Sequence, residues 1–119
     1  MAVNIKETNN VAIVEIKGKL IDGSLAEEVK RKLHNLLDEG QKNVVVDLGG
    51  VDYISSSGFT LLISGLKSMR EKGGDLKLAN ISGKAKELLS TTKLDLVFEE
   101  FDTAEKAAKS YSNKNKTKV

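Results

Sequence analysis

Apolar positions along this chain follow two rhythms that meet at a cluster of serines. Across Lys42–Leu48 the apolar residues run together as Val44, Val45, Val46 and Leu48, broken only by Asp47. A continuous β-branched run of this length predicts a strand buried on both faces, as in the interior of a parallel sheet. Gly49-Gly50 bounds it, and Ser55-Ser56-Ser57-Gly58 follows. Thereafter Phe59, Leu62, Ile63, Leu66 and Met69 recur at the spacing of one buried helical stripe, which predicts a helix over Ser57–Lys72. The serines fall at its start, where a hydroxyl can satisfy N–H groups that a helix leaves without partners.

The flanking segments repeat the alternation. Val3–Glu7 and Val11–Lys17 predict two short strands joined across Asn9-Asn10, a hairpin. Ser24 and Glu27 form a capping box for a helix that places Leu25, Val29, Leu33, Leu36 and Leu37 on one stripe, and Gly40 stands where a left-handed cap belongs. Beyond Gly73-Gly74 come a strand at Leu76–Ala79, a helix at Gly83–Thr91 and a short strand at Leu94–Phe98. A final helix over Thr103–Tyr111 carries Glu105 in its first turn. The expected fold is α/β, with a mixed sheet of four to five strands and about four helices packed against it.

Length and composition narrow the classes. A chain of 119 residues forms one domain, and with aromatics at 4% its core must be built from Val, Ile and Leu. The absence of Cys excludes a disulfide framework and a thiolate site, and fits a reducing compartment. No apolar run approaches the roughly 20 residues of a membrane span, and Met1–Thr8 lacks the apolar core of a signal peptide, so a cytoplasmic location is expected. The formal charge of +2 includes Lys109, Lys114, Lys116 and Lys118, and without those four Met1–Ala108 carries −2. That balance gives no footprint for nucleic acid. Residues 1–109 are therefore expected to be the folded domain and residues 110–119 a frayed basic tail.

Candidate chemistry is sparse. Ser55-Ser56-Ser57-Gly58 is no Gly-x-Ser-x-Gly elbow, because Ile54 and Ser55 stand where its first glycine could be sought. His34 is the single histidine and falls away from its helix's apolar stripe, which argues against nucleophilic hydrolysis. Gly49-Gly50 lacks the remainder of any phosphate-binding loop. Asp22, Asp47 and Asp52 could converge at one end of the sheet, yet each is accounted for as a loop or strand-end residue, so no metal or other cofactor is expected. One position breaks the helical pattern. Leu61 projects with Ser57, Ser64 and Ser68 onto the face opposite the buried stripe, an uncharged patch suited to docking.

Taken together, Val44-Val45-Val46-Asp47-Leu48 and Val51-Asp52-Tyr53-Ile54-Ser55-Ser56-Ser57-Gly58-Phe59 resemble the STAS domain, and within it the bacterial anti-sigma-factor antagonists. Gly18–Asp22 resembles the family's Gly-x-Leu-Asp loop, one residue longer here. Leu88–Asp95 resembles its Leu-x-x-Thr-Gly-Leu-Asp segment, and Phe101-Asp102-Thr103-Ala104-Glu105 the start of its last helix. The usual family pattern at the serines is Asp-Ser-Ser/Thr/Ala-Gly-Leu-Gly, with the first serine phosphorylated. Ser56 matches that serine, while Ser55 replaces the Asp, Phe59 the Leu and Thr60 the second Gly.

The resemblance implies a partner switch rather than an enzyme. The unphosphorylated domain would bind a serine kinase that doubles as an anti-sigma factor, phosphorylation of Ser56 would release it, and a PP2C-type phosphatase would reset it. The partner surface implied comprises Asp22, Ser55, Ser57, Gly58, Thr60, Leu61 and Ser64. An alternative within the family is an adaptor subunit of a lipid or anion transporter, which would need no phosphoacceptor. A small nucleotide-binding or hydrolysing enzyme is disfavoured by the missing phosphate loop.

Overall fold

The computed structural model describes residues 3–8, 10–20, 24–81, 83–91 and 98–116. Strands β1 (Val3–Thr8) and β2 (Val11–Leu20) pair antiparallel, closing at Thr8↔Val11. Asn10 turns the chain in the left-handed region, φ +66°, a conformation asparagine tolerates better than most residues. Helix α1 (Ser24–Asp38) leads to β3 (Asn43–Ile54), α2 (Ser56–Glu71) to β4 (Asp75–Ala79), and α3 (Gly83–Thr91) to β5 (Glu100–Phe101). Helix α4 (Ala104–Lys116) closes the chain. The sheet has the order β1-β2-β3-β4-β5, parallel from β2 onward.

That order explains the layering. Successive parallel strands always step the same way across the sheet, so crossovers of one hand deliver their helices to one face. Helices α1, α2 and α3 share a core with Val14, Val44, Val46, Leu76 and Leu78, while α4 alone covers Val11, Ile13, Val45 and Ala79 on the other side. Val44, Val45 and Val46 are fully buried between the two layers, as the unbroken apolar run requires. Phe59, Leu62, Leu66 and Met69 form the buried stripe of α2, and Ile63 is half-buried at its margin. Gly40 takes φ +86° and closes α1 as expected, its N–H donating to Leu37 O and that of Gln41 to Leu36 O.

Four boundaries depart from the sequence pattern. β2, expected to end at Lys17, runs on to Leu20, because Gly18, Lys19 and Leu20 still pair with β3. β3 does not stop at Gly49-Gly50 but runs on to Ile54. The last strand lies at Glu100–Phe101; of the expected Leu94–Phe98 segment only Phe98 is among the described residues. Helix α4 continues to Lys116, so the domain boundary expected after Lys109 falls inside it. The reason is packing: Ser110 and Tyr111 belong to the body. Ser110 Oγ accepts from Lys77 Nζ at 2.5 Å, and the Tyr111 ring lies 4.1 Å from that ammonium.

Tyr111 is the polar pin of an interface otherwise made by small side chains, Ala107 and Ala108. Its hydroxyl lies 2.7 Å from Val44 O and 2.9 Å from Asp75 O, and accepts from Val44 N–H at 3.2 Å. Burial first, and then the neighbouring Asp75 carboxylate, push its ionisation far above the usual phenol range. A phenol that ionises near pH 10 when unfolded but stays neutral when folded lends stability that is complete below about pH 10 and declines above it. Unfolding titrations should therefore show wild type losing about 1.4 kcal/mol per pH unit more than Tyr111→Phe above pH 10. At pH 7 Tyr111→Phe should cost about 1–2 kcal/mol, the loss of a buried hydrogen-bonded hydroxyl. Parallel pH curves for the two proteins would refute the assignment.

Candidate functional site at the start of the second helix

The approach to α2 is set by two bulges in β3. Glu15 pairs with Asp47 but Lys17 with Gly50, and Gly18 pairs with Val51 but Lys19 with Tyr53. Each irregularity inserts one extra residue in β3, so Leu48, Val51 and Ile54, three apart, all point into the same core. The first bulge is pinned by Asp47, whose Oδ1 accepts from Gly49 N–H and from Asn80 Nδ2, both at 2.9 Å. Glycine fits best at Gly50, where the strands pair again, since a Cβ there would lie 3.0 Å from Ile16 O and 2.6 Å from Lys17 Cγ. The second bulge reverses the alternation after Val51 and turns Tyr53 outward. At 46% exposure Tyr53 is the only exposed large apolar side chain among the described residues.

Ser55 then caps α2. Its backbone is extended (φ −84°, ψ 172°) and its Oγ accepts from Gly58 N–H at 3.1 Å. Asp and Ser are both favoured at this position, so the serine that stands in place of the family's aspartate keeps the cap. Ser56 is the first helical residue and is exposed, its carbonyl accepting from the Thr60 hydroxyl at 2.9 Å. Ser57, Thr60 and Ser64 are exposed beside it, and the first turn of α2 holds no acidic residue. The exposed group of Tyr53, Ser56, Ser57, Thr60 and Ser64 is polar and uncharged.

The expected partner residues divide accordingly. Ser57, Thr60 and Ser64 share the exposed face with Ser56. Ser55 is half-buried with its hydroxyl engaged in the cap, and Gly58 is buried, which leaves it little surface to offer. Leu61 does not stand clear of the core: it is half-buried and packs against it. The helical projection missed this because α1 lies alongside and shelters that face. Asp22 lies outside the described residues. Of the three aspartates considered for a metal, Asp47 is committed to Gly49 and Asn80, and the side chain of Asp52 is not described. No group of three ligands gathers among the described residues. His34 is exposed, as expected.

Tyr53 was missed. In a strict alternation it would share the face of Val51 and be buried, and only the three-residue spacing of Leu48, Val51 and Ile54 signals otherwise.

A family model for the STAS domain matches residues 2–107. The chain belongs to the STAS domain family. Among curated relatives of this STAS protein, a Bacillus subtilis protein named anti-sigma-B factor antagonist is 32% identical over 92 residues, covering 77% of this chain and 83% of its own. A Bordetella bronchiseptica protein, provisionally assigned as an anti-sigma factor antagonist, is 26% identical over 111 residues, covering 93% and 95%. Among solved structures, SpoIIAA in its unphosphorylated form superposes with a TM-score of 0.72 at 17% identity, over 94% of this chain and 98% of that one. Phosphorylated SpoIIAA from Bacillus gives 0.73 at 18%, over 92% and 99%. The STAS fold seen here is thus common to both states of SpoIIAA. No helix among the described residues is long and apolar enough to cross a membrane.

Proposed function

We propose that this STAS domain is an anti-sigma-factor antagonist working by partner switching in the cytoplasm, a binding module without catalysis of its own. Unphosphorylated, it docks through the start of α2 on a serine kinase that is also the anti-sigma factor, and so frees the sigma factor. Phosphorylation of Ser56 ends the complex, and a PP2C-type phosphatase restores it. The observation that carries this reading is an exposed serine hydroxyl at the first position of α2, within an uncharged face. The relatives' names support the general role.

A phosphate brings about −1.5 to −2 charges and three acceptor oxygens. At the centre of a docked, uncharged face it would be desolvated without a partner, which is costly. Ser55 cannot serve as acceptor without giving up the cap that holds Gly58. Incubation with the kinase and ATP, followed by site mapping by mass spectrometry, is expected to place the phosphate on Ser56. Phosphate on Ser57 with Ser56 unmodified would overturn the assignment.

A further inference from the structure

Lys77 is the one buried charged side chain among the described residues, with 1% of its surface exposed. It pairs with Val45 across β3 and β4, and lies on the sheet face that α4 covers. Ser110 Oγ accepts from its ammonium at 2.5 Å, and Glu99 Oε1 stands 3.8 Å away. The rings of Tyr111 and Phe101 lie 4.1 Å and 5.6 Å from the same charge. Glu99 is half exposed, so water weakens its pull on the ammonium. A charge enclosed in this way gives up its hydration, and apolar residues of similar volume often hold such a site as well or better. The helix that encloses it brings little apolar surface of its own. Ala104, Ala107, Ala108 and Tyr111 meet Val11, Ile13, Val45 and Ala79, whereas α1 and α2 bury Leu33, Leu36, Phe59, Leu62, Leu66 and Met69 on the other face. As the last element, packed on β2, β3, β4 and β5, α4 can lift away without breaking a strand pairing. The family match ends at residue 107, so Ser110 and Tyr111 lie beyond it.

We propose that α4 is a strap that leaves the sheet as a unit while the rest of the domain stays folded, and that Lys77 is the latch that sets how often it does so. The closed strap encloses an ammonium that the open strap returns to water. Lys77 therefore loosens the closed state, and Ser110 offsets part of that penalty by accepting from the charge. The alanine contacts are smooth and carry no direction, so Ser110 on Lys77 and Tyr111 on Val44 and Asp75 fix where the helix sits. Replacing Lys77 by Met removes the buried charge, and the Ser110 hydroxyl keeps a partner because it also donates to Ala107 O at 2.6 Å. The two substitutions Lys77→Met and Ser110→Ala should thus act in opposite directions, although each deletes the same contact. The inference stands apart from the partner-switching reading, since α4 lies on the sheet face away from α2.

The test is amide hydrogen exchange, read by NMR on the full chain, for wild type, Lys77→Met and Ser110→Ala, with urea unfolding of the same three proteins. In wild type the amides of Ala107, Ala108, Ser110 and Tyr111 are expected to share one protection factor, at least about a hundredfold below those of Val46 and Leu66. Lys77→Met should raise the protection of those four about tenfold without lowering the urea midpoint. Ser110→Ala should lower it about tenfold, because it strips a hydrogen bond from a buried charge. Protection of the four equal to that of Val46 would show that α4 opens only when the whole domain unfolds. Protection falling stepwise from Ala107 to Tyr111 would show a fraying end. Either result overturns the strap. Lys77→Met that leaves α4 exchange unchanged, speeds it or lowers the urea midpoint would overturn the latch, as would Ser110→Ala with wild-type exchange.

Discussion

Gly50→Val should destabilise this domain by about 1–3 kcal/mol, in the range of overpacking substitutions. The position closes the first bulge of β3, where the strand pairs with β2 again. A Cβ there would stand 3.0 Å from Ile16 O and 3.2 Å from Lys17 Cα, both backbone, and 2.6 Å from Lys17 Cγ. The lysine is exposed and can swing away. The backbone atoms cannot, because Lys17 and Gly18 continue to pair with Gly50 and Val51. The neighbouring Gly49 makes a control. Its nearest neighbours would be side-chain atoms, Asp47 Oδ1 at 3.1 Å and Asn80 Cβ at 3.3 Å, which have some room to yield. Gly49→Ala should therefore cost less than Gly50→Val. The measurement is urea unfolding of the three proteins, and equal midpoints for Gly50→Val and wild type would show that the bulge accommodates a side chain. Because the bulge sets the course of β3 toward Tyr53 and Ser55, folded Gly50→Val should also bind its partner more weakly than Gly49→Ala.

What the sequence discloses about this region follows from the physical origin of each feature. The buried run of Val44–Val46 and the stripe of Phe59, Leu62, Leu66 and Met69 are local periodicities, so they are legible without a fold. The same holds for Gly40, whose cap is a property of one helix end. The course of β3 past Gly49-Gly50 is different, for it depends on how β2 pairs with β3. A pair of glycines reads equally as a turn or as a close approach, and only the register separates the two. Tyr53 was hidden for that reason, its exposure being a consequence of a bulge. Leu61 fails in the opposite sense: a helical projection ranks positions around one axis and knows nothing of a second helix lying beside it. The start of α4 was legible in Thr103, whose Oγ1 accepts from Lys106 N–H at 3.1 Å. That Tyr111, where the expected helix ends, anchors it to the sheet was not, because the hydroxyl reaches Val44 and Asp75, distant in sequence. At the site, the resemblance to the family pointed to Ser56 and the serine cluster was read as a helix cap, while only the backbone geometry shows that Ser55 is the serine that caps.

Phosphorylation of Ser56 is expected to leave fold and stability nearly unchanged while lowering affinity for the kinase/anti-sigma partner at least a hundredfold, about 2.7 kcal/mol. Two routes to release exist, remodelling of the domain or spoiling of its docking face, and the local structure favours the second. The hydroxyl of Ser56 is exposed at the first position of α2, so a phosphate can be added without displacing any core residue. The helix dipole is positive at that end, and an anion there is stabilised by typically about 0.3–1 kcal/mol. The first turn of α2 has no carboxylate to repel it, and the capping position holds the neutral Ser55. The cap itself, Ser55 Oγ to Gly58 N–H, does not use the modified hydroxyl. In the complex the balance reverses. The same dianion would be held against a partner shaped for Tyr53, Ser57 and Thr60, and leaving such a charge desolvated and unpaired costs several kcal/mol. Thermal melts and amide NMR spectra of the two forms, with calorimetry against the partner, decide between the routes. Melting temperatures should agree within a few degrees, with shift changes confined to the Asp52–Leu66 region and binding lost. A clear fall in melting temperature, or shifts spread through the α4 face at Val45 and Ala79, would show that the switch works by changing the fold.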